Sequence, residues 1–153
     1  MSITYSTEEK EQVLIEKPQN ELIEDLIIDI LKANTDLNVI PYPEDIAEYS
    51  LSSDAEILVF IASKQYKKKN GVMTAVDHYG EITLYSKYRR SENINSINNL
   101  SNYIEKFLHN VQLENIGLVT LSYSEPEGYD GELQAYIWKV KLVVNDVLIK
   151  GIR

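Results

Sequence analysis

The sequence of 153 residues has no cysteine, only four prolines, six glycines and two histidines. Without cysteine there is no disulfide and no thiolate metal site, and nothing points to an oxidising compartment. No apolar run approaches the ~18 residues needed to cross a bilayer. The opening stretch, MSITYSTEEKEQ, has neither the basic segment nor the apolar one that marks a chain for export. The expectation is synthesis in the cytoplasm and no membrane partner. Bases are scarce as well: 15 Lys and Arg stand against 24 Asp and Glu, a formal net charge of -9. That argues against general nucleic-acid binding, which draws its affinity from Lys and Arg set against phosphates.

What charge there is lies unevenly. Residues 1–60 hold 14 acids and 3 bases, residues 61–110 hold 4 and 8, and residues 111–153 hold 6 and 4. A local reversal of sign suggests separate surfaces that meet separate partners. With 44% hydrophobic and 25% charged residues, no repeat period and no low-complexity tract, the chain has the composition of one globular domain able to bury a core.

Residues 1–17 are mostly polar with two apolar islands and read as an extended N-terminal arm. Fraying and ordering on a neighbouring subunit are both open for it. The single domain spans 18–153. From Asn20, a candidate N-cap, Leu22, Ile23, Leu26, Ile27, Ile30 and Leu31 recur at helical spacing, and the helix is expected to end near Asn34. In IPYPEDIAEYS, Pro41 and Pro43 force the preceding residues out of the helical region, giving a kinked linker of fixed shape. AEILVFIASKQY (55–66) is apolar at both parities, the pattern of a strand covered on both faces. EITLYSKYRR (81–90) reads as its partner in a long β-hairpin, with 67–78 as the connection and Asn70-Gly71 at a turn. Ile94, Ile97, Leu100, Ile104, Phe107, Leu108 and Val111 mark a second helix with Asn93 as candidate cap. Strands at 116–123 and 132–144 close the chain, joined by the turn formers of SEPEGYDG. In the last strand Tyr136, Trp138, Val140, Leu142 and Val144 share one face. The fold class is α+β, a mainly antiparallel sheet with two helices packed on it.

Catalysis needs a constellation, and none is legible. His78, expected in a loop, and His109, expected late in the second helix, are too far apart to share a helical metal-binding face, and each reads as a surface or helix-end residue. No nucleophile elbow, phosphate loop or dinucleotide fingerprint occurs. Glu125, Glu127, Asp130 and Glu132 read as a solvated turn. No catalytic residue, cofactor or metal is assigned, and the chain is not expected to be an enzyme. The densest basic stretch is KQYKKKNG, with Lys64, Lys67, Lys68 and Lys69, and Lys87, Arg89 and Arg90 on the partner strand are expected near the base of that hairpin. These seven side chains read either as a solubilising hairpin end or as a docking site for an acidic partner or a passing DNA backbone.

The helix ELIEDLIIDILKA, the linker VIPYPEDIAEY, the strands AEILVFIASKQY and ITLYSKYRR, the helix INSINNLSNYIEKFL and the closing pair of strands stand in an order that resembles the tail terminator family of tailed bacteriophages, particularly the phage Mu-type neck and tail proteins of contractile particles. The resemblance covers most of residues 20–149. It implies a virion protein of the tail or neck, assembled in the host cytoplasm as a ring, usually of six copies. The ring ends tail-tube growth and joins the tube protein, and in contractile tails the sheath, to the head-side connector, while DNA passes through the bore without specific binding. On this reading Tyr42, Pro43 and Tyr49 lie at a subunit interface, because prolines lower the entropy lost on fixing a linker and tyrosines are stiff contact groups. Packing of the linker on its own domain is equally open. The alternatives are a neighbouring neck or head-completion protein and, further off, a small-molecule-binding or enzymatic α+β domain.

Overall fold

Residues 17–69 and 73–148 are described by a computed structural model of the protein. The arm, apart from Lys17, and the Asn70-Gly71 turn lie outside the described residues. Lys17 bonds the Asp25 carboxylate across the first helical turns. Helix α1 is Gln19–Lys32. Pro18, not Asn20, precedes its first turn: the pyrrolidine ring holds an extended backbone (φ -58, ψ 146), and the Pro18 carbonyl accepts the N–H groups of Glu21 at 3.0 Å and Leu22 at 3.1 Å. Asn34 stands at the far end as expected, its side-chain amide donating to the Ile30 carbonyl at 2.8 Å.

The six strands are β1 (Asn38–Pro41), β2 (Ala55–Lys69), β3 (Met73–Ser86), β4 (Val111–Leu113), β5 (Gly117–Asp130) and β6 (Ala135–Leu148), with helix α2 (Ile97–Leu108) between β3 and β4. They form one sheet in the order β1-β2-β3-β6-β5-β4, antiparallel throughout except for the parallel pair β1 and β2. The α+β class and the two helices are therefore as read from the sequence.

Both helices lie on one sheet face. Ile23, Ile27 and Leu31 of α1 and Leu100, Ile104 and Leu108 of α2 are fully buried against Ile57, Val59, Ile82, Leu84, Val140, Leu142 and Val144. Tyr136 and Trp138 pack at the rim of this core, so the predicted shared face of β6 is the core face. Each such aliphatic side chain contributes about 1.5–3 kcal/mol on burial. The Tyr103 hydroxyl donates to the Leu31 carbonyl, joining α2 to the end of α1 and satisfying one of that helix's orphan acceptors.

Several boundaries differ from expectation. Ser96, not Asn93, caps α2: its hydroxyl accepts the Asn99 N–H at 3.2 Å, while the Asn93 carbonyl accepts the Asn99 side-chain amide at 2.7 Å. Ile94 is thus outside the helix and exposed, and Val111 opens β4 instead of continuing α2. Most of the segment read as a connection, 67–78, is strand, because β6 extends alongside β3 as far as Ala75 and gives its backbone a second partner. SEPEGYDG is strand up to Asp130, with the turn at 131–134. Bulges at Leu121/Tyr123 and Pro126/Gly128, the latter with Gly128 at φ 104, absorb the irregularity that Pro126 brings to an outer strand. β2 is covered on both faces only at its start. Leu58 is fully buried, whereas Phe60 is 41% exposed and Ala62 is exposed.

Candidate assembly surfaces

The helix-free face of the sheet carries the linker. Tyr42 follows β1, its N–H donating to the Val59 carbonyl at 2.9 Å and its ring stacked on Phe60 with centroids 5.3 Å apart. Pro43, half-buried, turns the chain towards a one-turn 3-10 helix, Ile46–Glu48, capped by the Asp45 carboxylate on the Ala47 N–H. Tyr49 then returns to the sheet, 5.4 Å from the Tyr85 ring, and its hydroxyl donates to Glu56. Glu56 is 1% exposed. Its carboxylate also accepts from the Asn38 amide at 2.9 Å, from the Ser52 N–H at 3.0 Å and from the Ser52 hydroxyl. Burial pushes this carboxyl up, but the donors from Ser52, Tyr49 and Asn38 outweigh it and hold it below the usual carboxylate range. Burial and the carboxylate together push the Tyr49 phenol up. Tyr42 and Tyr49 are thus fastened to their own sheet, with Leu58, Tyr85 and Ala135 beneath them.

The basic residues fall into two groups that the fold keeps apart. Lys64, Lys67, Lys68 and Lys69 occupy the far half of β2, whereas Lys87, Arg89 and Arg90 follow Ser86, which pairs with Ala55 at the strand's start. At ~3.3 Å per residue, Lys64 lies ~30 Å along β2 from Ala55. The seven therefore do not form one patch. Lys87 sits 3.8 Å from Asp54, and Lys67 sits 3.2 Å from Asp77. Arg89 and Arg90 are exposed.

His78 is the clearest departure. It lies in β3 between Lys64 and Val144, is 2% exposed, and its Nδ1 has no hydrogen-bond partner among the described residues. Burial, aided by Lys64 and opposed by Asp77, pulls its pKa below the usual histidine value. The surface assignment failed because the loop around it is strand. His109 does close α2, and its Nδ1 accepts the Leu121 N–H at 3.2 Å. Beside it an open groove of about 340 Å³ runs between α2 and β5, lined by Ser101, Glu105, His109, Tyr123 and Ser124. The Trp138 indole donates to Ser124 at 2.7 Å, and a hydrogen bond to Glu125 pushes the Tyr123 phenol up to about 12. Among the described residues no group of three or more His, Cys, Asp or Glu is placed to hold a metal ion.

The chain matches no family model, and no curated protein is significantly similar to it. Exposed aromatic groups are a further feature of the sheet, on both its faces, with Tyr129 edge-on to Tyr136 on the helix-bearing one. Phe60 (41%), Tyr66 (60%), Tyr79 (39%), Tyr123 (42%) and Tyr129 (56%) all lie on strands and project outside the core. Period-two alternation alone does not reveal them, since an aromatic residue on a strand reads first as core. A shallow pocket of about 250 Å³ on the helix-free face is lined by Phe60, Ala62, Tyr79, Gly80, Glu81 and Lys141.

Proposed function

We propose that the chain is a structural subunit of a phage tail, a tail terminator that assembles as a ring of six on the end of the tail tube, stops its growth and presents a surface to the head-side connector. The observation that carries this reading is the set of exposed strand aromatics, of which Phe60 and Tyr79 share the pocket on the helix-free face. Tyr and Phe are enriched in protein interfaces, where a stiff ring covers a large area at little entropic cost. One face of the sheet is closed by helices and gives the subunit its stability. The other bears rings, a shallow apolar pocket and the ion pair between Lys139 and Glu81 at 3.7 Å, a surface suited to another protein. The order of elements adds to this through the resemblance described above. The linker's role shifts within the reading: with Tyr49 bound to Glu56, the prolines act first by holding one strand short and one loop against the sheet.

The test is genetic and morphological. Removing the chain from a phage that encodes it should leave tails of uncontrolled length, measured by electron microscopy, and supplying it again should restore one length. Tails of normal, uniform length without the chain would overturn the reading.

A further inference from the structure

The sheet has a stepped outline. β1 pairs with β2 only over Glu56–Val59, and just beyond it the Glu24 carboxylate takes the Ile61 N–H at 2.8 Å. No described strand lies against the outer side of residues 62–69. At the opposite edge β4 pairs with β5 only over Gly117–Val119, and no described strand lies against the outer side of residues 120–130. The bare part of β2 is at the end of the sheet where β6 finishes, and the bare part of β5 is at the end where β6 begins. The two open edges therefore sit at diagonally opposite corners.

They also carry opposite charge. Residues 62–69 contain four lysines and no acid, and residues 120–130 contain Glu125, Glu127 and Asp130 and no base. Lys139, across the ladder from Glu125, is directed to Glu81 instead. An open edge offers unpaired backbone groups to another strand, and lysine, acid or proline on such an edge normally discourages pairing with a copy of itself. Here like repels like at each edge, while the two edges attract one another.

We propose that the lysine edge of β2 in one copy pairs with the acidic edge of β5 in the next. Three antiparallel steps separate β2 from β5, so the strands run in opposite directions, and two copies in the same orientation meet as an antiparallel pair. With one copy stepped along the strand direction, the projecting β1 and β4 fall beyond the two ends of the new ladder. Pro126 has no N–H and the Leu121 N–H is held by His109, so the ladder runs over residues 122–125 against 65–68. Glu125 and Gln65 both lie on the helix-free face, and the register sets Glu125 opposite Gln65 with Lys67 two positions along the same face. The contact is heterologous, so it closes into a ring or runs on as a filament. A ring of this kind has strands offset from copy to copy, the stagger that a closed barrel needs. The proposal rests on the assembly reading for what the contact builds.

The absence of native cysteine makes the test direct. Tyr66→Cys and Ser124→Cys, both on the helix-bearing face, place two thiols opposite each other across the new ladder and nowhere near each other within one chain. Under mild oxidation each single variant should stay uncrosslinked, a mixture of the two should give a covalent dimer, and the double variant should give a ladder of covalent oligomers. Cooperative unfolding of each variant verifies its fold. A ladder that ends at one closed species supports both edge pairing and the ring. An unbounded ladder keeps edge pairing and removes the ring. Closed oligomers by native mass spectrometry without the mixed disulfide, or a disulfide in Tyr66→Cys alone, overturn edge pairing and leave the ring reading standing. A chain that stays monomeric overturns both.

Discussion

The hydroxyl of Tyr49 donates to the carboxylate of Glu56, joining the residue that ends the 3-10 turn to the second residue of β2. Asn38 and Ser52 donate to the same group, so one buried charge gathers the start of β1, the end of the linker and the loop before β2. Glu56→Gln keeps the volume but turns one acceptor into a donor that faces other donors. It should lower stability by about 2 kcal/mol, and Tyr49→Phe by about 1 kcal/mol. Urea unfolding measures both. A Gln variant as stable as the parent would mean that the donors reach water instead.

The same carboxylate makes stability depend on acid. Its folded pKa lies below the ordinary value of 4.5, so the unfolded chain takes up the proton first as pH falls. The stability it contributes is complete above the unfolded value and is lost as pH falls through the folded one. Glu24, pushed up by burial, works in the opposite sense. The difference in unfolding free energy between the parent and Glu56→Gln should therefore be full at pH 7 and shrink towards pH 3. A difference that stays constant would assign the loss to packing.

His78 titrates in a separate window. Its folded pKa lies below the ordinary 6.5, so protonation favours the unfolded chain and stability falls as pH drops below 6.5. His78→Leu removes a buried polar group and should be as stable as the parent, or more so, at pH 7, and it should flatten the parent's decline between pH 6.5 and 5. Thermal melting across that range reads the effect, and an unchanged slope in the Leu variant would show that His78 is not its source.

Gly80 lies where β3 passes the β2 bulge. A Cβ there would meet the Phe60 carbonyl oxygen at 2.6 Å and the Ile61 Cδ1 at 2.7 Å. The first neighbour is backbone, so Gly80→Ala must move the strand and should cost about 2 kcal/mol. Gly131→Ala, with open space around it, is the control and should change stability by less than about 0.5 kcal/mol. Equal midpoints for the two would refute the close approach.

Because the basic residues occupy opposite ends of β2, their reversal should have separable effects. Lys64→Glu with Lys68→Glu should weaken association at least tenfold at low salt. Glu125→Lys with Glu127→Lys should do the same, and mixing the two variants should restore it. Arg89→Glu with Arg90→Glu should leave association between copies unchanged. Sedimentation at two salt concentrations distinguishes these cases, since exposed pairs are screened beyond about 8 Å at physiological ionic strength. Loss of association in the arginine variant would place the contact at the other end of the sheet.

The α+β class was legible because long apolar patterns dominate it: the 23, 27, 31 spacing of α1 and the alternation from Tyr136 to Val144 in β6 are direct images of the buried face. Strand ends were not legible, for a physical reason. Residues such as Pro126, Gly128 and Asp130 favour turns locally, and only a neighbouring strand, β6, holds them extended. The same non-local pairing put His78 in a ladder instead of a loop. The Glu56 latch was beyond reach because a lone glutamate in an apolar run does not announce donors that come from positions 38, 49 and 52.

Pro41 is the last residue of β1, and Pro43 follows one position beyond Tyr42. Neither carries an N–H, so the outer side of β1 offers no donor there to a further strand, while the next donor on β2, the Ile61 N–H, is held by Glu24. Half of the chain's prolines, with Glu24, thus act as a doorstop. Were both replaced by valine and Glu24 by alanine, the linker would be free to zip upward along β2 and shut the very opening at which a neighbour is proposed to enter. A subunit altered in this way would fold around an intact core and yet decline to polymerise, an inhibitor made from the protein's own backbone.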